Sequence, residues 1–421
     1  MLSLVLPFSL GEPSGMRWML FVLALAAACG PNKSRNDGGG GDDDDDPFQD
    51  APCPTALIGK VYAPNGTLPL YNVTVYAPIS DPPPFPAGVQ CGLCSTTLPG
   101  GAYTSAVTDA EGKFRLEGVP AGTNVPIIIT TGKWRRKVVM PEVVACTDTQ
   151  VPDAMFRLPK NKTEGEMPHI AVVTGGCDPL ACILTKLGID TPEFGSTSSG
   201  NTAVVFYNGS GGTSPGTAAA STSLHGDLNE MKKFDVIINS CECSENNQNK
   251  TTPDLLRQYA DLGGRVFGSH YHYTWAKNLI PQWTPTAAWT SGSTSTPDLV
   301  DTSHPTGMAF AKWLMSVGAS TILGQITLGT KTYDAGPTAV TSTRWLYASG
   351  TNPTSHYYSF ETPVGVAKEQ QCGKVVYAGM HVSSGSVGTT FPASCSATFT
   401  PDEKALVFLL FDLTSCLGSI F

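Results

Sequence analysis

Histidine and acidic side chains occur where several predicted strands of this chain end. His270 and His272 follow one such strand, and residues two apart on an extended segment share a face. His381 ends a later predicted strand, and Glu242 follows an earlier one. Three imidazoles and a carboxylate suit zinc or another first-row divalent ion. The pattern therefore predicts a divalent metal site in which His270, His272 and His381 are ligands and Glu242 completes the set.

The same side chains allow three other interpretations. Without a metal, His270 or His381 would act with Glu242 as a catalytic acid and base. Alternatively, His270 and His272 form hydrogen bonds that shape a loop and take no part in chemistry. Cys241 ends the same strand as Glu242 and could be an independent nucleophile, although a disulfide or simple burial is the expectation for it.

Aromatic residues are interleaved with these histidines. Tyr271, Tyr273 and Trp275 could stack against a sugar, or they could pack the core and a lid. Residues 280–305 are rich in Thr, Ser and Pro and are predicted to form a long loop over the site. The sequence leaves both roles of the aromatic residues open.

Alternating strands and helices in residues 161–421 must position the candidate residues. Predicted strands cover 169–174, 203–206, 234–239, 265–268 and 373–380. Helices are predicted after Asp178, Thr252 and Thr400, because each of these N-cap residues precedes a proline. Such alternation indicates a parallel sheet, whose functional residues gather at the carboxyl ends of the strands.

Residues 263–270 read Gly-Gly-Arg-Val-Phe-Gly-Ser-His and follow one of these helices. The segment resembles the nucleophile strand of class I glutamine amidotransferase-like domains, and it is most similar to the trehalose-utilisation branch, where this strand ends in His. The resemblance implies an α/β, flavodoxin-like domain over residues 161–421. Glutamine hydrolysis is not expected, because it needs a cysteine at the turn that His270 occupies here.

Residues 52–160 have the alternating pattern of short strands separated by Asn-Gly and Glu-Gly turns. Four segments resemble the carboxypeptidase regulatory-like domain: Gly59–Gly66, Leu70–Val75, Thr108–Phe114 and Gly118–Thr123. The resemblance implies a small all-β, transthyretin-like (Ig-like) sandwich that serves as a non-catalytic module. An insertion between Pro78 and Ala106, which carries two cysteines, departs from the family pattern.

The N-terminal segment combines the charged start Met16-Arg17 with a short apolar run that ends in small residues before Cys29. This resembles a bacterial lipoprotein signal. The resemblance implies a signal peptide over residues 1–28, with Met16 as an alternative start, and lipidation of Cys29. The lipid would anchor the chain in a bilayer at the cell envelope. Residues 29–51, rich in Gly and Asp, are predicted to be a disordered tether.

The chain contains 12 cysteines, and an oxidising compartment favours disulfides among those other than Cys29. We expect Cys53–Cys146, Cys91–Cys94 and one bridge among three later cysteines, with one cysteine left free. The three later cysteines are Cys372, Cys395 and Cys416. The alternative is a zinc site formed by the four cysteines of the first part, although their spacing lacks the paired pattern of such sites. These four are Cys53, Cys91, Cys94 and Cys146.

The chain has 421 residues and a net charge of −9, and it lacks the basic patch expected of a nucleic-acid-binding protein. Its arrangement resembles lipoproteins of predatory soil bacteria of the myxobacterial type. Two functions are therefore considered. The first is a surface-tethered, non-catalytic binding or structural module that contacts a glycan or an envelope protein. The second is an envelope hydrolase or sugar-modifying enzyme, metal-dependent or not, that uses the His/Glu residues.

Overall fold

The computed structural model describes residues 53–418, apart from positions 96, 291, 293, 294, 333, 351, 352, 382–389 and 397. The predicted signal peptide (1–28), the lipidation residue Cys29 and the whole of the predicted tether (29–51) therefore lie outside the described residues. The described residues belong to one compact unit.

The first part of the unit contains seven strands. They are β1 (Ala56–Lys60), β2 (Thr74–Pro78), β3 (Ala102–Val107), β4 (Lys113–Glu117), β5 (Gly122–Thr131), β6 (Trp134–Val143) and β7 (Asp148–Gln150). They form a three-stranded sheet, β4-β1-β7, and a four-stranded sheet, β3-β2-β5-β6. In β4, Phe114 and Leu116 are buried while Lys113, Arg115 and Glu117 are exposed, as expected for a strand with one face on a core. The prediction of a strand-rich first part is confirmed.

The second part of the unit alternates strands and helices. Its first half contains β8 (Ile170–Thr174), α1 (Ala181–Lys186), β9 (Phe194–Ser196), β10 (Val204–Asn208), β11 (Ala219–Ala220), α2 (Ser221–His225), α3 (Leu228–Met231), β12 (Val236–Asn239), α4 (Pro253–Asp261) and β13 (Arg265–Ser269). Its second half contains β14 (Asp298–Val300), α5 (Pro305–Ser316), β15 (Gln325–Ile326), β16 (Thr330–Lys331), β17 (Ser342–Ala348), β18 (Thr354–Thr362), β19 (Gly373–Ala378), β20 (Met380–His381) and α6 (Pro401–Thr414).

One large sheet organises this second part. Its strand order is β11-β10-β8-β12-β13-β19-β18-β17-β14-β15. The pairs from β10 to β19 are parallel, and those from β19 to β15 are antiparallel. The strands β10, β8, β12, β13 and β19 are respectively the second, first, third, fourth and fifth of these five along the chain, which is a doubly wound order with its switch point between β8 and β12. The short strands β9 and β11 also pair parallel with β10. The prediction of an α/β domain is confirmed, and the edge of four antiparallel strands is an addition to it.

Helix α6 begins at the predicted N-cap Thr400, which forms a capping box with Glu403. The Thr400 hydroxyl accepts a hydrogen bond from the Glu403 N–H at 3.2 Å, and Glu403 accepts one from the Thr400 N–H at 2.9 Å. The helix is buried along much of its length, and Phe408 stacks on Tyr71 of the strand-rich part with ring centroids 5.6 Å apart. One hydrophobic core therefore spans both parts of the unit. Among the described residues, no helix combines the length and apolarity needed to cross a membrane.

Five disulfides cross-link the described residues, and only one of the expected pairings occurs among them. Their partners are Cys53–Cys146, Cys91–Cys372, Cys94–Cys416, Cys177–Cys243 and Cys182–Cys395. The expected Cys91–Cys94 bridge is wrong, as is a bridge among Cys372, Cys395 and Cys416. A zinc site of the first four cysteines is also excluded, because all four are in disulfides.

The position of the insertion between Pro78 and Ala106 explains these errors. Its backbone lies against the second part of the unit, where Cys94 N–H donates to the Leu417 carbonyl at 2.9 Å and Val89 N–H donates to the Lys232 carbonyl at 3.0 Å. Cysteines three residues apart in sequence thus meet partners hundreds of residues away.

A buried carboxylate in the first turn of α6 makes stability depend on pH. Asp402 accepts hydrogen bonds from the Gly329 N–H at 3.1 and 3.2 Å. Burial, with smaller contributions from Asp298 and Glu403, raises its pKa to about 6 from 3.8, whereas the Gly329 hydrogen bond and, to a smaller extent, Lys331 oppose the shift. The folded state therefore binds this proton more tightly than the unfolded state. The resulting stabilisation is complete below about pH 4 and is lost as the pH rises through about 6, and it amounts to about 3 kcal/mol.

We expect Asp402→Asn to remove this component. We measure the free energy of unfolding with urea at pH 4 and at pH 7. The Asp402 carboxyl should make the native chain about 3 kcal/mol more stable at pH 4 than at pH 7, relative to all other pH effects, and this contribution should be missing from the variant. Identical pH dependence in the two proteins would show that the carboxyl group is not perturbed.

Candidate functional site

Three side chains meet at the carboxyl edge of the parallel strands. Cys241 follows β12, His270 follows β13, and His381 ends the short strand β20 directly after β19. Because β13 lies between β12 and β19 in the sheet, these three positions are neighbours. The structure thus brings together two of the three predicted histidine ligands, and it adds a cysteine to them.

The donor atoms of this Cys241–His270–His381 cluster lie close enough to share one ion. The Cys241 Sγ is 3.6 Å from the His270 Nδ1, and the His270 Nδ1 is 2.9 Å from the His381 Nε2. All three donor atoms lie within 4.8 Å of one another. Cys241 is fully buried, and the two histidines are half-buried. This cluster could bind a metal ion with its thiol at the base and its imidazoles toward solvent.

Tetrahedral zinc sets a test for this fit. Bonds of about 2.0 Å to nitrogen and about 2.3 Å to sulfur place a sulfur and a nitrogen donor about 3.5 Å apart, and two nitrogens about 3.3 Å apart. The observed sulfur–nitrogen distance of 3.6 Å agrees with this, whereas the nitrogen–nitrogen distance of 2.9 Å must widen by about half an ångström. A rotation of either imidazole about its side-chain bonds would provide that change.

The backbone turns sharply at His270, so the side chains of His270 and His272 point in different directions. His270 has φ = +39°, a left-handed conformation that is rare for a residue with a side chain, and residues His270–Tyr273 form a 3-10 turn. The prediction that His270 and His272 share one face assumed an extended segment and is wrong. Backbone strain of this kind persists where surrounding structure enforces it, often at functional sites.

His272 is part of a buried hydrogen-bond network and is not a metal ligand in this structure. Its Nδ1 accepts a hydrogen bond from the Trp275 indole N–H at 3.2 Å, so its Nε2 donates to the Ser240 carbonyl at 2.9 Å. Burial lowers the pKa of His272 to about 3, which keeps the ring neutral. Both nitrogens are therefore engaged by protein groups, as the structural interpretation of this histidine requires.

Glu242 is likewise engaged elsewhere, which corrects its predicted catalytic and ligand roles. Its Oε2 pairs with the Lys250 Nζ at 2.8 Å, and its Oε1 accepts from the Ser210 N–H at 3.0 Å. Both side chains of the pair are 3% exposed. Burial acts to raise the pKa of Glu242, but its neighbours, among them the Lys250 ammonium, hold that pKa below its ordinary value. The Glu242 carboxylate therefore holds the backbone next to Cys241 in place and is not a member of the Cys241–His270–His381 cluster.

Cys241 is held by its backbone neighbours. Its carbonyl accepts a hydrogen bond from the Cys177 N–H at 3.1 Å, and the Cys177–Cys243 disulfide links the loops after β8 and β12. A Cβ on Gly175 would lie 2.1 Å from the Cys241 carbonyl oxygen, so this close approach requires glycine. Among the cysteines of the described residues, Cys241 alone is outside a disulfide. Burial raises the pKa of its thiol to about 11.

Asp334 joins the site from a segment that sequence reasoning did not consider. Its Oδ2 lies 3.6 Å from the His270 Nε2, on the side of the ring opposite the cluster. Asp334 comes three residues after β16, which pairs antiparallel with β20 so that Thr330 faces His381. No sequence signal marks this aspartate, because it is brought near His270 by the pairing of two strands that are only two residues long.

The aromatic residues near the site divide between packing and exposure. Trp275 is 3% exposed and packs against His225, and Tyr273 is 7% exposed and donates from its hydroxyl to Glu245 at 2.6 Å. Neither can stack a ligand in this arrangement, which corrects that prediction for both. Tyr271 is half-buried, and its ring centroid lies 4.0 Å from that of His270. Of the three predicted stacking residues, Tyr271 therefore lies beside the cluster with part of its side chain exposed.

The predicted loop over residues 280–305 is partly structured. It contains a 3-10 turn at Thr284–Thr286 and the strand β14, and Trp283 packs edge-on against Phe360 with ring centroids 5.5 Å apart. Trp283 therefore belongs to the hydrophobic core. Trp289 is half-buried and lies beside Tyr273, near the site.

Comparison with known proteins yields few matches. No protein-family profile and no curated protein matches the chain. A crystal structure of a ThuA-like protein from Bacteroides uniformis is 13% identical, covers 58% of this chain and 91% of its own, and has a TM-score of 0.31. A type II cohesin–X-dockerin complex from Acetivibrio cellulolyticus is 16% identical over 36% of this chain and 88% of its own, with a TM-score of 0.17. At these scores neither likeness bears on the function of this chain.

Proposed function

We propose that this chain is an envelope-tethered lipoprotein whose α/β domain is a metal-dependent hydrolase, with zinc held by Cys241, His270 and His381. The observation that carries the proposal is the convergence of one sulfur and two imidazole nitrogens within 4.8 Å at the carboxyl edge of a parallel sheet. Sulfur and imidazole donors suit zinc, and three protein donors are the number found in catalytic zinc sites, whereas structural sites use four.

Each member of the cluster has a distinct role in this proposal. Cys241 would bind as a thiolate from the buried base of the site, His270 through its Nδ1 and His381 through its Nε2. When bound, zinc supplies Lewis acidity and lowers the pKa of a coordinated water. The half-buried imidazoles leave the solvent side of the cluster reachable for a substrate, and the half-buried ring of Tyr271 offers a surface on which a sugar ring could stack.

The envelope location rests on a different set of observations. Five disulfides indicate an oxidising compartment, and the lipoprotein signal before Cys29 would attach the chain to a bilayer. We place the strand-rich part in the carboxypeptidase regulatory-like group and the α/β part in the amidotransferase-like group, and we assign the former a non-catalytic role. Substrates would then be glycans or proteins of the envelope.

A second candidate function uses the same residues without a metal. The Cys241 Sγ lies 3.6 Å from one nitrogen of His270, and the Asp334 Oδ2 lies 3.6 Å from the other. This is the order of a thiol nucleophile, an imidazole base and an orienting carboxylate. In this alternative the His270 Nδ1 would take the thiol proton as the sulfur attacks a carbonyl carbon, and would return that proton to the leaving group.

Metal analysis of the purified full chain separates these functions. We expect about one zinc ion per chain in the native protein and close to none in Cys241→Ser or His270→Ala, because two remaining donors hold zinc poorly. His169→Ala is the matched control, since this half-buried histidine lies outside the cluster and should leave the zinc content unchanged.

The same preparation tests the alternatives. A native chain without zinc whose Cys241 reacts with iodoacetamide would contradict the metal proposal and support the thiol mechanism. A native chain with neither property would contradict both enzymatic functions and leave the non-catalytic binding module.

A further inference from the structure

His270 presents its two ring nitrogens to different partners. Its Nδ1 faces the Cys241 Sγ and the His381 Nε2, and its Nε2 faces the Asp334 Oδ2 at 3.6 Å. A histidine that binds a metal through Nδ1 must carry its proton on Nε2, because the neutral ring has one N–H. The proton would then lie on the side of Asp334, which is the nearest carboxylate to that nitrogen.

One oxygen of the Asp334 carboxylate lacks a donor among the described residues, although the carboxylate also interacts with the Thr332 hydroxyl. That oxygen, Oδ2, is buried and has no hydrogen-bond partner among the described residues. A buried carboxylate oxygen without a donor is costly, so such an atom calls for a group that completes it. The Nε2–H of His270 is placed to be that group once the 3.6 Å separation shortens to a hydrogen bond.

The charges at the site agree with this arrangement. A thiolate at Cys241 and a carboxylate at Asp334 carry two negative charges, which equal the charge of one divalent ion, while His270 and His381 are neutral ligands. Lys277 and Glu245 also act electrostatically on Asp334, with opposite signs. The local charge is therefore balanced when the ion is bound and negative when the thiolate forms without it.

We propose that Asp334 is a positioning residue that fixes the proton of His270 on Nε2 and so presents its Nδ1 to the metal. This inference rests on the proposed metal site. Asp334 does not itself bind the ion in this arrangement, because it lies on the opposite side of the imidazole from the other two donors. Metal-binding histidines commonly donate their second N–H to a carboxylate, and loss of that carboxylate weakens metal affinity about 10–100-fold.

The test compares zinc affinity in three full-length proteins, measured by competition with a chromophoric chelator. We expect Asp334→Asn to weaken zinc binding about 10–100-fold relative to the native chain. Asp301→Asn is the matched control, because Asp301 is also a largely buried carboxylate, paired with Arg344 at 2.8 Å and remote in sequence from the cluster. Its zinc affinity should equal that of the native chain.

Cobalt substitution supplies a readout that a merely structural role would not move. In Asp334→Asn, the thiolate-to-cobalt charge-transfer band should persist because Cys241 still binds, while the ligand-field bands shift with His270. Asp334→Glu, which keeps the charge, should bind zinc more tightly than Asp334→Asn and serves as the second variant if the latter does not fold.

The outcomes distinguish the two proposals. A native chain that binds neither zinc nor cobalt contradicts the proposed function itself. A native chain that binds zinc with the same affinity as Asp334→Asn and Asp334→Glu leaves the metal site standing and overturns the role of Asp334 alone.

Discussion

Lys250→Met is expected to destabilise the protein by about 3–5 kcal/mol, because it leaves the Glu242 carboxylate charged and without its partner in the interior. The pair is 3% exposed on both sides, and its nitrogen–oxygen distance is 2.8 Å. Lys250 also donates to the Glu245 carbonyl at 2.7 Å, and it lies 5.6 Å from the centre of the Trp275 ring. Urea unfolding at pH 7 measures the loss.

The double variant Glu242→Gln/Lys250→Met is the control for this prediction. Because it removes both charges, it should recover most of the lost stability, and it should retain zinc because Glu242 is outside the cluster. A double variant no more stable than Lys250→Met would show that the loss arises from packing rather than from the unpaired charge. Loss of zinc in a folded double variant would restore the ligand role predicted for Glu242 from the sequence.

Removal of the two disulfides that hold the insertion is expected to produce the second large effect. Cys91–Cys372 and Cys94–Cys416 join residues 281 and 322 positions apart. Replacing either pair with serine should lower the free energy of unfolding by about 2–4 kcal/mol, and removing both should cost about 4–8 kcal/mol, since each closes a long loop of the unfolded chain. Denaturant unfolding of the three variants measures these losses.

Limited proteolysis adds a local readout for the same variants. With both bridges removed, the segment between Pro78 and Ala106 should be cleaved faster than in the native chain, because covalent links no longer hold it against the second part of the unit. Cys53→Ser/Cys146→Ser is the matched control, since its bridge lies outside the insertion. Equal cleavage rates in all of these proteins would mean that non-covalent contacts suffice to hold the segment.

Much of the architecture follows from local sequence patterns. The alternation in Lys113–Glu117 indicates a strand with one buried face, and the Thr400/Glu403 pair marks the start of α6. The alternation of strands and helices predicts the parallel sheet, and the rule that sites lie at carboxyl ends predicts that residues near 241, 270 and 381 meet. These features are readable because hydrophobic periodicity and capping act over a few residues.

The composition of the site was only partly predictable. His270 and His381 were expected to meet, and they do. The two-residue period of a strand predicts that His272 lies on the same face as His270. The backbone leaves the extended conformation at His270, which has a positive φ, so the period does not extend to His272. Asp334 reaches the site through a two-residue strand pair that carries no recognisable pattern.

The sequence by itself determined the strand-rich first part, the alternation of parallel strands and helices in the second part, and the edge of the sheet at which chemistry-bearing residues collect. The tertiary structure alone decided which side chains are engaged elsewhere: Glu242 by Lys250, His272 by Ser240 and Trp275, and ten cysteines by one another. The physical reason is range. Periodicity and caps depend on neighbours within a turn or two, whereas partner choice among buried polar groups depends on which distant segments the folded core brings into contact.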